Sequence, residues 1–360
     1  MDNNPRSERT PRQPATDRGG GRRTLAKRAI GPILVALTLL LVGLVSPAGA
    51  TGPGRGSSVV VANRGSGDIS VIDTSTLAVR TVDLPGDAEP MYVNHDRRRD
   101  RVFVGDRASS TVVVFDDDDF GVVGSVAVGD GVFHQWLDDA RRQLWVVGDT
   151  SQTVTVVDTR SLSVRTTIDM PSDLVAAGGR PHDVFVAGSR AFVTVLGLDD
   201  GTGTVVQYST RTFEETGRVS VGDDPHVFVR AGRLYVASQD TSTIASFRAR
   251  DLRPLGSATV PAAHGLFVTN RLEVLVTNIA GGGGDAVSEL DRNLTTVQDT
   301  VDTAFATPHN VAVDNRRQLF ITHSGPTADK VSVIDLERNG FGSSRAVTVG
   351  SNPFGLAFVR

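Results

Sequence analysis

Five of the seven histidines in this chain stand at one recurring kind of position: His134, His182, His226, His264 and His309. Each opens a short apolar run, as in PHDVFVA, PHVFVR and PHNVAV. Neutral imidazole is the commonest metal ligand and titrates near physiological pH. Imidazoles gathered in one place, with a thioether nearby and no thiolate, suit copper best and zinc next. Met91 and Phe354 occupy the matching positions of the remaining units, so Met91 joins the candidate set. A second series of polar residues closes the following runs: Asn63, Asp106, Asp149, Gln239, Asn278 and His323. His323 belongs to the same unit as His309, which would let the two approach each other. His95 is out of phase and reads as part of a surface turn.

The elements that must position these residues are strands. Val-rich runs of four to eight residues alternate with Gly, Pro and Asp clusters, the pattern of an all-β chain. The runs recur in fours, with unit starts at Pro90, Phe133, Pro181, Pro225, Ala263, Pro308 and Pro353. A four-stranded unit repeating every ~40–50 residues predicts a propeller blade. The last unit holds one strand, PFGLAFVR, and the first three strands, SVVVAN, ISVID and VRTVDL, precede Pro90. Together they would make one composite blade. The predicted fold is a seven-bladed β-propeller of four antiparallel strands per blade, closed by that blade and so without an open sheet edge. The first strand of each blade lines the channel, so the histidines would form an arc at its mouth.

Two accounts of the arc stand side by side. In one, the repeats copied a residue useful for opening a strand, and each His serves backbone and water. In the other the arc is a site for a copper or zinc ion, or for a small anionic or polar ligand. Protonation of neighbouring imidazoles would be mutually unfavourable, so an empty ring should have depressed pKa values through like-charge repulsion. A metal ion would bind the neutral forms.

The runs LYVAS, LVTN, LFITH and VSVID and the VG-x-x-P junctions resemble the YVTN-repeat family of seven-bladed propellers over essentially all of the chain after residue 50. The resemblance implies the fold more than a function, because the shared residues are mostly turn and core positions. The architecture is also similar to the propeller domain of nitrous oxide reductase, whose channel carries a His-ligated copper cluster. This sequence has no cysteine for that enzyme's second copper centre, so that activity is not expected. Lactonase-type and streptogramin-lyase-type propellers are similar at the level of fold. The resemblance therefore leaves a binding protein, an interaction scaffold and a metal-dependent oxidoreductase, hydrolase, lactonase or lyase open.

Residues 1–50 read as an export signal. A polar, Arg- and Pro-rich start leads into GRRTLAKRAIGPILVALTLLLVGLVSPAGA, with an apolar run over 29–45 and an Ala48-Gly49-Ala50 cleavage site. Arg22-Arg23 resembles a twin-arginine signal, with an ordinary secretory signal as the alternative. Residues 51–57 form a short linker and 58–360 the propeller. Cleavage after Ala50 places the protein outside the cytoplasm, secreted, at the cell surface or in a periplasm; an uncleaved segment would anchor it in a membrane. The whole chain carries a net charge of −4. The signal segment is basic, so the remainder is more acidic still, which argues against a nucleic-acid partner and for a small molecule or protein on the channel face. The absence of cysteine excludes disulfides, thiolate metal sites and a lipoprotein anchor.

Several features have plainer readings. Asp116–Asp119 reads as a solvated turn rather than a calcium loop, because its ligands are not spaced. Gly281–Gly284 lacks the Lys and helix of a phosphate loop. Trp136 and Trp145 read as packing. Asp73, Asp158 and Asp335 end third strands, where the carboxylate can accept backbone N–H bonds and start the turn.

Overall fold

The computed structural model describes residues 56–359, apart from 282, 283 and 339. The signal segment and almost all of the linker lie outside the described residues. Among the described residues no helix is long and apolar enough to cross a membrane.

Seven four-stranded antiparallel sheets are present. Blade 1 is composite: Pro353–Val359 is its inner strand, followed outward by Ser58–Asn63, Asp68–Asp73 and Val79–Asp83. Pairing of Val59 with Phe358 and of Val60 with Ala357 joins the two ends of the fold. The other inner strands, for blades 2 to 7, are Pro90–Asp96, Val132–Asp138, Arg180–Ala187, Pro225–Arg230, Ala263–Val268 and Pro308–Val313. Each inner strand touches the next around a closed circle.

Burial follows from this stacking. A second or third strand is covered on both sides by neighbouring blades, so both of its faces are apolar. Leu234–Ala237 in blade 5 is nearly inaccessible, and its cluster runs from Phe192 in blade 4 to Val276 in blade 6. Outer strands such as Pro254–Thr259 alternate between exposed and half-buried residues. The connection between blades 3 and 4 is longer and carries a short helix, Ser172–Ala176, that buries Leu174.

Turn chemistry agrees with two of the three aspartates. Asp73 Oδ1 accepts from the backbone N–H groups of Ser75 and Thr76, and Asp158 Oδ1 from those of Arg160 and Ser161. Asp335 departs from the expectation: it is held by Arg345 Nη2 at 2.7 Å and Gln318 Nε2 at 3.3 Å, within a strand that continues to Leu336. The acidic run is a turn, with Asp116 and Asp119 accepting from the N–H groups of Asp118 and Gly121, but Asp117 is buried rather than solvated.

Most inner strands carry a β-bulge just after their first or second residue. A bulge places one extra residue against the partner strand and re-aims side chains. In blades 4, 6 and 7 a second-strand threonine stabilises it. Thr194, Thr277 and Thr322 Oγ1 accept from the N–H groups of Asp183, Gly265 and Asn310. Thr277 Oγ1 also donates to His309 O, and Thr322 Oγ1 to Phe354 O, each in the next blade. One hydroxyl therefore holds a bulge and ties two blades. The approach is close enough that a Cβ on Gly265 would lie 2.0 Å from His309 O. Thr277→Val is expected to leave a buried N–H and a buried C=O without this partner and to cost about 1–3 kcal/mol in urea unfolding.

Candidate functional site

The bulges set the geometry of the channel mouth. His182, His264 and His309 follow the last regularly paired residue before the bulge, Pro181, Ala263 and Pro308, in the phase of Met91 and Phe354. Blade 3 differs from the sequence expectation. Its strand begins at Val132, paired with Gly148, so Phe133 takes that phase and His134 lies one residue further, level with Tyr92 and Asp183. Blade 5 has no bulge, and His226 pairs with Ala237 in regular register.

The rings nevertheless meet. Successive centroid distances are 4.7 Å for His182–His226, 3.9 Å for His226–His264 and 4.4 Å for His264–His309. His309 lies 4.2 Å from Phe354, Phe354 5.5 Å from Tyr92, and Tyr92 5.9 Å from Phe133, which is 4.8 Å from His182. Each blade contributes, and the aromatic ring is closed. His134 stacks on Tyr92 at 3.6 Å. Met91 is fully buried and packs with Tyr92 and Phe354.

Two aspartates absent from the sequence candidates organise the imidazoles. Asp183 Oδ1 lies 2.7 Å from His134 Nδ1, and Oδ2 lies 3.8 Å from His226 Nδ1. Its carboxylate also accepts from the N–H groups of Val184 and Val227. Asp224 precedes the Pro225 strand with φ of 49°, a conformation shared by Gly131, Ala262, Thr307 and Asn352 before other inner strands. Asp tolerates this left-handed region better than most residues, and here it brings a carboxylate over the histidines. Asp224 Oδ1 lies 3.3 Å from His182 Nε2 and 3.7 Å from His226 Nε2, and the two imidazole nitrogens are 3.3 Å apart. His226 thus faces Asp183 with Nδ1 and the mouth with Nε2. The signal for both aspartates was present in DPH and PHD, where each adjoins or closely precedes a site histidine.

Burial dominates the electrostatics. His182, His226 and His264 are pushed well below the usual imidazole value and His309 down to about 3, with desolvation the leading cause and neighbouring imidazoles second. The direction expected from the sequence is present, but like-charge repulsion is the smaller cause. Asp224 is pushed up to about 6, first by burial and then by Asp240 and Asp223. His264 has no hydrogen-bond partner at either nitrogen among the described residues.

The second polar series is bonded largely within its surroundings. Asn63 Nδ2 donates to Asp68 and Ser70, Asp106 accepts from the N–H groups of Glu89 and Ala108, and Arg107 grips Asp149 with two 3.0 Å bonds. Asn278 accepts from Ser288, and Gln239 donates its backbone N–H to Asp224 O. His323 is satisfied inside blade 7, with Nδ1 on Ala306 O and Nε2 on Ser332 Oγ, and its nearest ring is Phe305 at 5.4 Å. His95 is not on a surface turn. It sits in the inner strand Pro90–Asp96, largely buried, with Nε2 2.7 Å from Asp117, because that strand runs further than the sequence period suggested.

Fold and site together define an all-β, seven-bladed propeller with a His- and Asp-lined channel. No protein-family profile matches the chain, and no curated protein sequence does. Solved structures do share the fold. A periplasmic gluconolactonase from Pseudomonas aeruginosa superposes with a TM-score of 0.68 at 16% identity, covering 84% of this chain and 99% of that one. A Lactobacillus plantarum protein gives 0.69 at 15% identity over 84% and 100%. A functionally unknown Desulfotomaculum acetoxidans protein gives 0.69 at 12% identity over 85% and 99%.

Proposed function

We propose that this chain is an exported propeller of the YVTN type that binds one divalent transition-metal ion at its channel mouth. His182 Nε2, His226 Nε2 and Asp224 Oδ1 are the ligands. The observation that carries this reading is their spacing: 3.3, 3.3 and 3.7 Å between ligand atoms. Tetrahedral ligands at about 2.0–2.1 Å from a zinc ion lie about 3.3–3.4 Å from one another. Two imidazoles that approach this closely, nitrogen to nitrogen, beside a carboxylate also favour a cation between them. The carboxylate moves the preference toward zinc, with copper second. A fourth position is left for water, for a small ligand, or for His264, whose unpartnered ring lies 3.9 Å from His226. Asp183 supports the site from behind by facing His226 Nδ1.

The test is calorimetric titration of chelator-treated protein with Zn2+ and Cu2+ at pH 7.5. One equivalent binding with submicromolar affinity supports the reading. Uptake of neither ion by protein that retains its β-sheet spectrum overturns it and leaves the ring as part of the fold or of a protein-binding face.

A further inference from the structure

Behind the aromatic ring the channel widens into a cavity of about 240 Å3 bordered by all seven inner strands. Its wall is built largely of Trp136, Phe228, Phe267 and Phe358, with Leu266 and Val311 between them. These rings are tilted against one another: Trp136 meets Phe228 at 79° and Phe228 meets Phe267 at 53°. They therefore offer both edges and faces to the space. Polar side chains share this border, Asn94, Gln135 and Asn310 among them, and ordered water there would be held by two to four such partners. The polar groups that border the cavity include His134 and Asp183. His134 is 8% exposed, and its Nε2 has no partner among the described residues. Its Nδ1 faces the Asp183 carboxylate at 2.7 Å. In the neutral ring the hydrogen therefore sits on Nδ1, and Nε2 is left as an acceptor.

We infer that this cavity is a binding site for a small neutral aromatic molecule carrying one hydrogen-bond donor, of the phenol or indole class. The flat ring packs among the tilted aromatic walls, and the donor meets His134 Nε2, a buried acceptor otherwise unmade. This site goes beyond the metal reading and does not depend on it, so the test is run on chelator-treated protein.

Phenol is the probe, and Trp136 is the reporter. It borders the cavity, whereas Trp145, the other tryptophan, is fully buried and does not line it. Phenol is expected to change the tryptophan fluorescence saturably, and toluene, which lacks the donor, to bind at least tenfold more weakly. His134→Phe should erase the preference for phenol while toluene still binds. Phe267→Ala should remove one aromatic wall and weaken both at least tenfold, with circular dichroism confirming that each variant is folded. Absence of saturable binding by phenol and indole overturns the proposal. So does a phenol preference that survives in folded His134→Phe, or binding of undiminished affinity in folded Phe267→Ala.

Discussion

Asp224→Asn is expected to weaken zinc binding at pH 7.5 by at least about a hundredfold, and His226→Ala to abolish it. Both follow from geometry. Asp224 and His226 supply two of the three proposed ligand atoms, and His226 is also the residue whose other nitrogen faces Asp183. Loss of a charged oxygen ligand removes a metal bond and the only negative charge among the three. The pH dependence separates this site from an ordinary pair of surface histidines. The site imidazoles are pushed well below their usual range by burial, so they are neutral at pH 7 and have no proton to release. Asp224, pushed up to about 6, is the group that must lose its proton as the ion binds. Zinc affinity should hold level above about pH 7 and fall about tenfold per unit below pH 6. Calorimetry in buffers of different ionisation enthalpy reads the protons released. Near one per ion at pH 5.5, falling toward none in Asp224→Asn, is the expected result. Release of two protons, or full affinity in Asp224→Asn, would reject this ligand set.

How far the sequence reached depends on which physical signal each feature leaves in it. Blades are legible because a strand covered on both faces must be apolar throughout, and because four such strands repeat at near-constant length. Closure is legible because one strand at the end and three at the start add up to a blade. Asp73 and Asp158 are legible because a short carboxylate after a strand has one favourable local use. The bulges are not. An extra residue against a partner strand leaves the composition of the run unchanged but shifts every side chain after it. That is why His134 was placed one position out, in line with His182 rather than with Asp183. The threonines of VTN and ITH carry the information, but a β-branched residue in a strand reads first as propensity. Asp183 and Asp224 are hard to single out for a related reason. Each stands close to a histidine in DPH or PHD, but only the fold brings the carboxylates of blades 4 and 5 onto histidines from three blades. The polar series at the second-strand ends shows the opposite case. Its members share a face, yet most spend their hydrogen bonds on nearby backbone and side chains.

Metal-free protein should lose stability steeply between pH 6 and pH 4, before most carboxylates titrate. His182, His226, His264 and His309 are all held below the value of about 6.5 that an unfolded imidazole has. Above pH 6.5 both states are neutral and the shift contributes nothing to the difference. As pH falls, the unfolded chain takes up protons that the folded ring refuses, so stability is lost. Asp224 acts in the opposite sense: with a folded value near 6, the folded state binds its proton first and recovers part of the loss. Arg64 and Arg180, which also depress these rings, stay charged throughout, and Asp183 is held by two backbone N–H groups beside His134 and His226. The balance is about three protons, or about 4 kcal/mol per pH unit. A domain with about 5–15 kcal/mol to lose should then unfold near pH 4. His264→Phe isolates the effect. Neither nitrogen of His264 has a partner among the described residues, so the swap gives up no hydrogen bond seen there and keeps an aromatic ring between His226 and His309. It should stabilise the protein at pH 5 by about 1–2 kcal/mol, lower the acid midpoint and reduce the proton uptake on unfolding by one. Urea unfolding from pH 7.5 to 4 measures all three quantities, and an unchanged midpoint in His264→Phe would show that the buried ring is not what acid attacks.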